Sequence, residues 1–543
     1  MLRNKITKIV CAIVLAVSFL GCKKYLMDLN IDPNGIQPET ANPNLVLTKV
    51  LSSTGMAFTN LGYQDVAGVM QHTQKDGWAD GHNNYDWGQS NDWSIYYDIL
   101  RNNKFVYERA EQLGYDLQKG VSLVMKSMVF GLITDLFGDA PYTAALNADE
   151  GGDENMFPVF DKQRDIYLGI LADLETANTL LSKNKNEYNS TIEAADIYYQ
   201  GDPVKWRKLA NSLRLRYLMR LSVKEPAIAK AGIEEIAGDP TNNPIITTAA
   251  DDANMPSWTP VYDVSESEYR RIKMCQTLVE AMRAGNDPRL GVWAKRVEIP
   301  IVMDETLPDG TDKIEDGKRY ISPDILSKKG LTTADISLNP DYVGIPPSYT
   351  APAAYNLSPD VNQAAFNPHV SWLSDMYRTF NSPLLKSRLL SGSEVNFILA
   401  EAAWLGWSLP ETAETYYNNA IKASLETWGV GDAYADFIAQ PGVAYDGTQK
   451  QIIVQKWIAS WQAATESWAD YKRTGFPELH TGPMAIKAAV PVRFYYMLSE
   501  RNLNKTNVEA AMENLEETPY SQSEGANSAW SKPWVIQGTG KPW

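Results

Sequence analysis

The sequence predicts an all-α protein in which helix pairs joined by short turns form a solenoid-like support, interrupted by long irregular loops. Three observations carry that expectation. Apolar residues recur at the helical spacing of three and four from residue 90 to the end of the chain. Helix start and stop signals sit at the ends of those stripes. Residues 296–380 break the pattern with nine prolines in 85 positions and few strong periods, as expected of a long irregular insertion, with room for short strands. No strict sequence period accompanies the helix pairs, so periodicity alone does not establish repeats.

In chain order, residues 1–8, MLRNKITK, are basic, and residues 9–20, IVCAIVLAVSFL, are twelve uncharged and mainly apolar positions. That reads as an export signal, too short for a comfortable membrane span. The run ends in FLGC, with Cys22 directly after Gly21. This predicts a bacterial lipoprotein: signal 1–21 removed, Cys22 carrying a diacylglycerol on sulfur and an acyl chain on its new amine. Two or more chains anchor stably where one does not. Phe19 departs from the usual Leu of a lipobox, and an ordinary secretory signal is the rival reading. Residues 22–43, with Pro33, Pro38 and Pro43, read as a tether, and 44–543 as the globular domain. NIDPNG at 30–35 imitates a calcium loop, but Pro33 stiffens it and Ala41 stands where a bidentate Glu belongs.

A helix from Ser90 past Leu113 carries the stripe Tyr96, Ile99, Leu100, Asn103, Val106, Tyr107 and Ala110. A second spans 118–137 and stops at GDAP. A third spans 161–181, and a fourth 202–221 has Asp202 as N-cap and Pro203 in its first turn. YRRIKMCQTLVEAM places another at 268–284, with Cys275 as a small buried residue. Helices resume with a capping box at Ser391 and Glu394, then over 411–428 and 448–472, and a further box is predicted at Thr506 and Glu509.

The chain carries 66 acidic against 50 basic residues, a net charge of −16. That repels phosphate backbones and excludes nucleic acid as a natural partner. Four histidines without i, i+4 spacing, and no nucleophile elbow or phosphate loop, predict no enzyme, no metal and no cofactor. A glycosidase needs only two carboxylates at the right separation, so that rival stays open; DEGGDEN at 149–155 reads as a solvated loop. The remaining signal is aromatic. Residues 77–100, GWADGHNNYDWGQSNDWSIYYDIL, hold three Trp and three Tyr among amides and acids, with no Lys or Arg. Rings beside amides suit a sugar, whose C–H face stacks on them, and equally a peptide. Trp78, Tyr85, Trp87 and Trp93, with Asn91 as hydrogen-bonding neighbour, are the candidates there. Trp258 and Tyr262, and Tyr349, Tyr355 and Trp372 of the insertion, complete the set.

Several stretches together resemble the SusD/RagB family. They are DLNIDPNG (28–35), LITDLFGDAPYTAAL (132–146), WRKLANSLRLRYLMRLS (206–222), NDPRL (286–290), EVNFILAEAAWLGW (394–407), KWIASWQAATESWADYKRTGFPEL (456–479) and PVRFYYMLSERNLNKTN (491–507). The resemblance implies tetratricopeptide-like helix pairs with the ligand site on loops above them. It implies an outer-membrane lipoprotein that captures an oligosaccharide or a peptide as a lid on a TonB-dependent transporter, without catalysis. The shared motifs look structural, so no ligand residue transfers by motif. A purely structural lipoprotein remains the third rival.

Overall fold

The computed structural model describes residues 41–88, 91–256, 270–358, 366–379 and 382–543. The signal, Cys22, the tether as far as residue 40, Trp258 and Tyr262 lie outside the described residues. Twelve helices of eight or more residues form the body among those described. They are α1 (Pro43–Tyr63), α2 (Ser94–Leu113), α3 (Asp116–Phe137), α4 (Gln163–Leu180), α5 (Pro203–Leu221), α6 (Pro226–Gly238), α7 (Gln276–Ala284), α8 (Gly392–Trp404), α9 (Ala413–Thr427), α10 (Gln449–Ala459), α11 (Ala464–Thr474) and α12 (Lys505–Met512).

Consecutive helices pack as pairs: α2 on α3, α4 on α5 and α8 on α9. Further contacts of α3 with α4, α5 with α6 and α8 with α10 join the pairs, while α1 lies on α2 and α11. One continuous apolar core runs through all of them. Local chemistry sets the ends. Asp202 accepts from the amides of Val204 and Lys205, and Pro203 follows in the first turn. Ser391 accepts from the Glu394 amide. The stripe on α2 is buried as its spacing predicts, except that Tyr107 is only partly covered. Helix α3 is long and apolar enough to cross a membrane, but it is buried within the fold and reads as the core helix of a globular body.

The structure corrects the sequence expectation at several elements. Helix α1 was not anticipated, although Leu47, Val50, Leu51, Thr54 and Phe58 form its buried stripe. The predicted helix 268–284 is instead a strand, β3 (Ile272–Met274), followed by α7. The segment 448–472 is two helices, α10 and α11, with a turn at 460–463. Helix α12 begins at Lys505 with no side-chain cap, so Thr506 and Glu509 form no capping box. Trp206, Trp457, Trp461 and Trp468 are core residues, but Trp404 is partly exposed. Residues 149–154 are exposed.

Among the described residues, three small sheets decorate the helices. Strand β1 (Thr73–Lys75) pairs antiparallel with β3, and β2 (Ala253–Pro256) with β7 (Lys386–Leu390). Within the insertion, β6 (Lys318–Ile321) lies between β4 (Ile301–Met303), parallel, and β5 (Asp312–Glu315), antiparallel. The insertion therefore has order of its own. Ile301, Ile321, Ile325, Leu326, Ile336 and Leu357 form one small core, and Val297, Val343, Ile345, Tyr355 and Val370 another.

Candidate ligand-binding site

Residues 76–88 form a loop shaped by its own amides. Asn83 accepts from the Lys75 amide and donates to the Lys75 carbonyl, both at 2.8 Å. Asn84 accepts from the amides of Gly81 and Asp86. These side chains fold the loop back on itself and are spent on backbone. Its rings divide. Tyr85 is 1% exposed and Trp87 5%. Trp87 stands edge-on to Phe494, centroids 4.7 Å apart, and to Trp468. Trp93, 6% exposed, meets Tyr97, Phe137, Phe160 and Tyr496. Tyr85 and Trp87 seal the core beneath the loop, so the expectation that they form a ligand platform is corrected; Trp93 packs into the same core but also lines a cleft with Tyr97 and Arg101. Asn91 is half-buried.

Trp78 behaves differently, at 70% exposed. Its φ is +47°, in the left-handed region that a bulky side chain rarely adopts. Tyr85 of the same loop has a positive φ too, as do Gln71 and Ser348 beside Tyr85. Strain of about 1–3 kcal/mol per residue persists only where surrounding structure holds it, and it gathers at functional sites.

The β1–β3 ladder shows what holds Trp78. Gln74 stands opposite Lys273, and the Asp76 amide donates to the Arg271 carbonyl. Residues two apart on a strand share a face. Arg271 and Lys273 therefore both reach the Asp76 carboxylate, at 3.8 and 2.9 Å. Each cation also lies over an indole: Arg271 4.2 Å from the Trp78 centroid and Lys273 3.9 Å from that of Trp372. Trp372 in turn stacks with Phe366, centroids 4.7 Å apart and planes tilted by 33°. Phe366 is 46% exposed. One buried carboxylate thus organises two cation–aromatic stacks whose outer rings face solvent. Such contacts reach about 2 kcal/mol when desolvated.

Burial dominates the electrostatics here. It raises the Asp76 carboxyl above its usual value, against the pull of Lys273 and Arg271. It lowers Lys273 to about 8, against the attraction of Asp76. At pH 7, below that value, Lys273 favours its charged form.

Beside Trp372 and Phe366 opens a cleft of about 350 Å³, also lined by Arg270, Lys295, Arg296, Glu298, Val370 and Arg378. Tyr349 and Trp372 pack partly buried against the small core that contains Tyr355. Tyr355 itself is buried, so as a ligand contact it is corrected to core. Larger clefts of about 690 and 650 Å³ lie by Met282–Leu290 and by Trp93–Lys104. Neither brings together two of the expected tryptophans. The Asp76 arrangement does, since it joins Trp78 to Trp372 across almost 300 residues of chain.

Sequence reasoning missed Asp76, Arg271, Lys273, Phe366 and Arg378. The signal was present in RRIKM: read with a period of two, it puts Arg271 and Lys273 on one face of a strand. The helical reading dispersed them.

A family described as starch-binding and associating with the outer membrane matches residues 34–302 and 332–497. The chain belongs to the SusD-like family. The unmatched stretch 303–331 holds strands β5 and β6 of the insertion. No curated relative matches the chain. Among solved structures, a Bacteroides vulgatus protein described as a candidate outer-membrane protein for nutrient binding is 26% identical. The alignment covers 92% of this chain and 100% of that one, with a TM-score of 0.69. A SusD homologue from Bacteroides thetaiotaomicron, 17% identical, covers 91% and 99%, with a TM-score of 0.69. A chitin-binding SusD homologue from Flavobacterium johnsoniae, 20% identical, covers 89% and 98% with a TM-score of 0.66. At that identity the last two establish the shared fold alone, a tetratricopeptide-containing helical body.

Proposed function

We propose that this SusD-like protein captures an oligosaccharide at the outer membrane without catalysis and delivers it to a TonB-dependent transporter, anchored through lipidated Cys22. The carrying observation is the pair of stacks built on Asp76. Trp78 and the Phe366–Trp372 pair offer exposed aromatic surface, and polar groups line the cleft beside them. A pyranose ring uses both, its C–H face on an aromatic ring and its hydroxyls on side chains. The starch-binding description of the family and the chitin-binding homologue support a glycan over a peptide. The carboxylates around the cleft support a non-catalytic reading. Among the described residues, Asp76, Asp341 and Asp375 are ion-paired to Lys273, Arg296 and Lys295, and Glu298 is the one acid that lines the cleft, whereas a glycosidase needs a matched pair free to exchange protons. Tyr349 at the margin, and Trp258 and Tyr262, remain in the proposed site.

The test is calorimetric titration of the full chain with a panel of oligosaccharides and a peptide pool. Trp78→Ala is expected to weaken glycan binding about five- to thirtyfold, as loss of a stacking contact of about 1–2 kcal/mol requires, and to cost no more than about 1 kcal/mol of stability through its exposed contact with Arg271. Trp87→Ala is expected to cost about 3–5 kcal/mol of stability instead, because it empties a core site. Glycan binding untouched by Trp78→Ala, or release of reducing sugar, would defeat the proposal.

A further inference from the structure

Helix α7 ends at Ala284, and the chain turns through Asn286, whose φ is +51°. Asp287 is buried there and held by Arg289 at 2.5 Å, which fixes the turn. Facing it, Asn339 accepts through Oδ1 from the amides of Asp341 and Tyr342, at 3.0 and 2.8 Å. The cleft of about 690 Å³ lies between these two segments, within the range of about 300–1,000 Å³ of small-molecule sites. Its carboxylates are engaged: Asp287 by Arg289, Asp341 by Arg296, and Glu280 by the Gln276 amide at 2.7 Å. Three donors are not. Among the described residues the Tyr342 hydroxyl, the Asn339 NH₂ and the Arg283 guanidinium make no hydrogen bond or ion pair. The Tyr342 ring packs partly buried on the main core. Gly291 leaves room for its hydroxyl, since a Cβ there would stand 3.2 Å from that oxygen. Unspent donors beside a fixed amphipathic ring suit a ligand rich in oxygen acceptors, as a sugar is.

Backbone rungs tie this cleft to the one beside Trp372. The Lys295 amide donates to the Trp372 carbonyl, Val297 to that of Asp341 and Ser371 to that of Val343, each at 2.8 Å. On this frame Asp341 lines the 690 Å³ cleft and Arg296 the 350 Å³ cleft, and the two side chains meet at 2.8 Å. Both are about half or more exposed, so a weak surface pair rather than a packed wall stands on the rim of both clefts. We propose that the cleft at Tyr342 is a further sugar subsite, and that the captured ligand is an extended oligosaccharide crossing the Arg296–Asp341 pair. The inference rests on the capture reading above and names the form of its ligand. A chain held by its rings at Trp372 presents its next units to the second cleft at high effective concentration, so modest contacts there add to affinity.

The experiment titrates the full chain with short and long members of two series: maltotriose and maltoheptaose, chitobiose and chitohexaose. Wild type is compared with Tyr342→Phe, Arg283→Gln and Trp78→Ala. In at least one series the longer probe is expected to bind about tenfold or more tighter than the shorter. Tyr342→Phe and Arg283→Gln are each expected to weaken the longer probe about three- to tenfold, as loss of one hydrogen bond does, and to leave the shorter unchanged. Phenylalanine keeps the ring on the core and Arg283 is exposed, so both variants keep the native melting temperature. Trp78→Ala should weaken both lengths. Equal affinity for short and long probes, both weakened in Trp78→Ala, overturns the second subsite and leaves the capture reading standing. A length advantage that survives Tyr342→Phe and Arg283→Gln reflects the many registers a long chain offers to one cleft, and also overturns it. No binding of any probe overturns both readings.

Discussion

At the scale of the residue, burial separates side chains that look alike in sequence. Trp78 and Trp87 share one polar stretch, yet one is held outward on a guanidinium and the other is wedged between Trp468 and Phe494. The same burial sets the response to acid. His72 and His82 are fully enclosed and lowered from 6.5 to about 3. For both, desolvation is the first cause; for His82 the Lys75 charge adds to it. At pH 7 they are neutral folded or unfolded and cost nothing. Below about 6.5 the unfolded chain takes up protons that the folded chain refuses, so stability falls as pH drops from 6.5 towards 3. The expected slope is about 1.4 kcal/mol per pH unit for each histidine, read from urea midpoints between pH 6 and 4. Asp252 acts in the opposite sense. Burial raises it to about 6 despite hydrogen bonds from Gly392 and Thr427, so its contribution is present at low pH and lost as pH rises through 6. Asp76, Asp139 and Glu500 are raised by burial in the same sense, so the net fall in stability on acidification is expected to be smaller than the two histidines alone would give.

At the scale of the element, most helices were legible because caps and stripes are local. The strand β3 was not. Its three residues are too short for a period to show, and it exists because β1, two hundred residues earlier, supplies the ladder. Helix pairing depends on small residues that sequence patterns do not weigh. Gly131 of α3 lets the Tyr217 ring of α5 lie against the helix: a Cβ there would sit 2.1 Å from the Tyr217 hydroxyl oxygen. That hydroxyl also donates to the Ser127 carbonyl. Gly131→Ala is therefore expected to destabilise by about 1–3 kcal/mol through overpacking, although alanine is the better helix former. An unchanged or raised urea midpoint would refute this crossing.

At the scale of the whole molecule, a buried ion network ties the early helices to the late ones. Arg216 of α5 binds Glu394 of α8 at 2.7 Å and Glu466 of α11 at 3.1 Å, and Arg220 joins Glu466 at 2.5 Å. Lys456 of α10 meets Asp470 at 2.8 Å, and Arg473 holds Glu401 of α8 at 2.6 Å. Burial opposes the charge on Glu466, but Arg216 and Arg220 overcome it and keep the carboxyl below its usual value. Glu466→Gln would leave two guanidinium groups short of a partner in the core. It is expected to cost about 3–5 kcal/mol, read as a lower midpoint of chemical unfolding, with ligand affinity intact in the folded fraction. The helical class, most helix positions and the family were determined by the sequence itself, since periodicity, caps and motifs are written along the chain. Which rings face solvent, and that Trp78 and Trp372 meet over one carboxylate, were decided only by the tertiary structure. A ring is exposed or buried according to what packs on it, and these two rings lie almost 300 residues apart, each on a cation about 100 to 200 residues away.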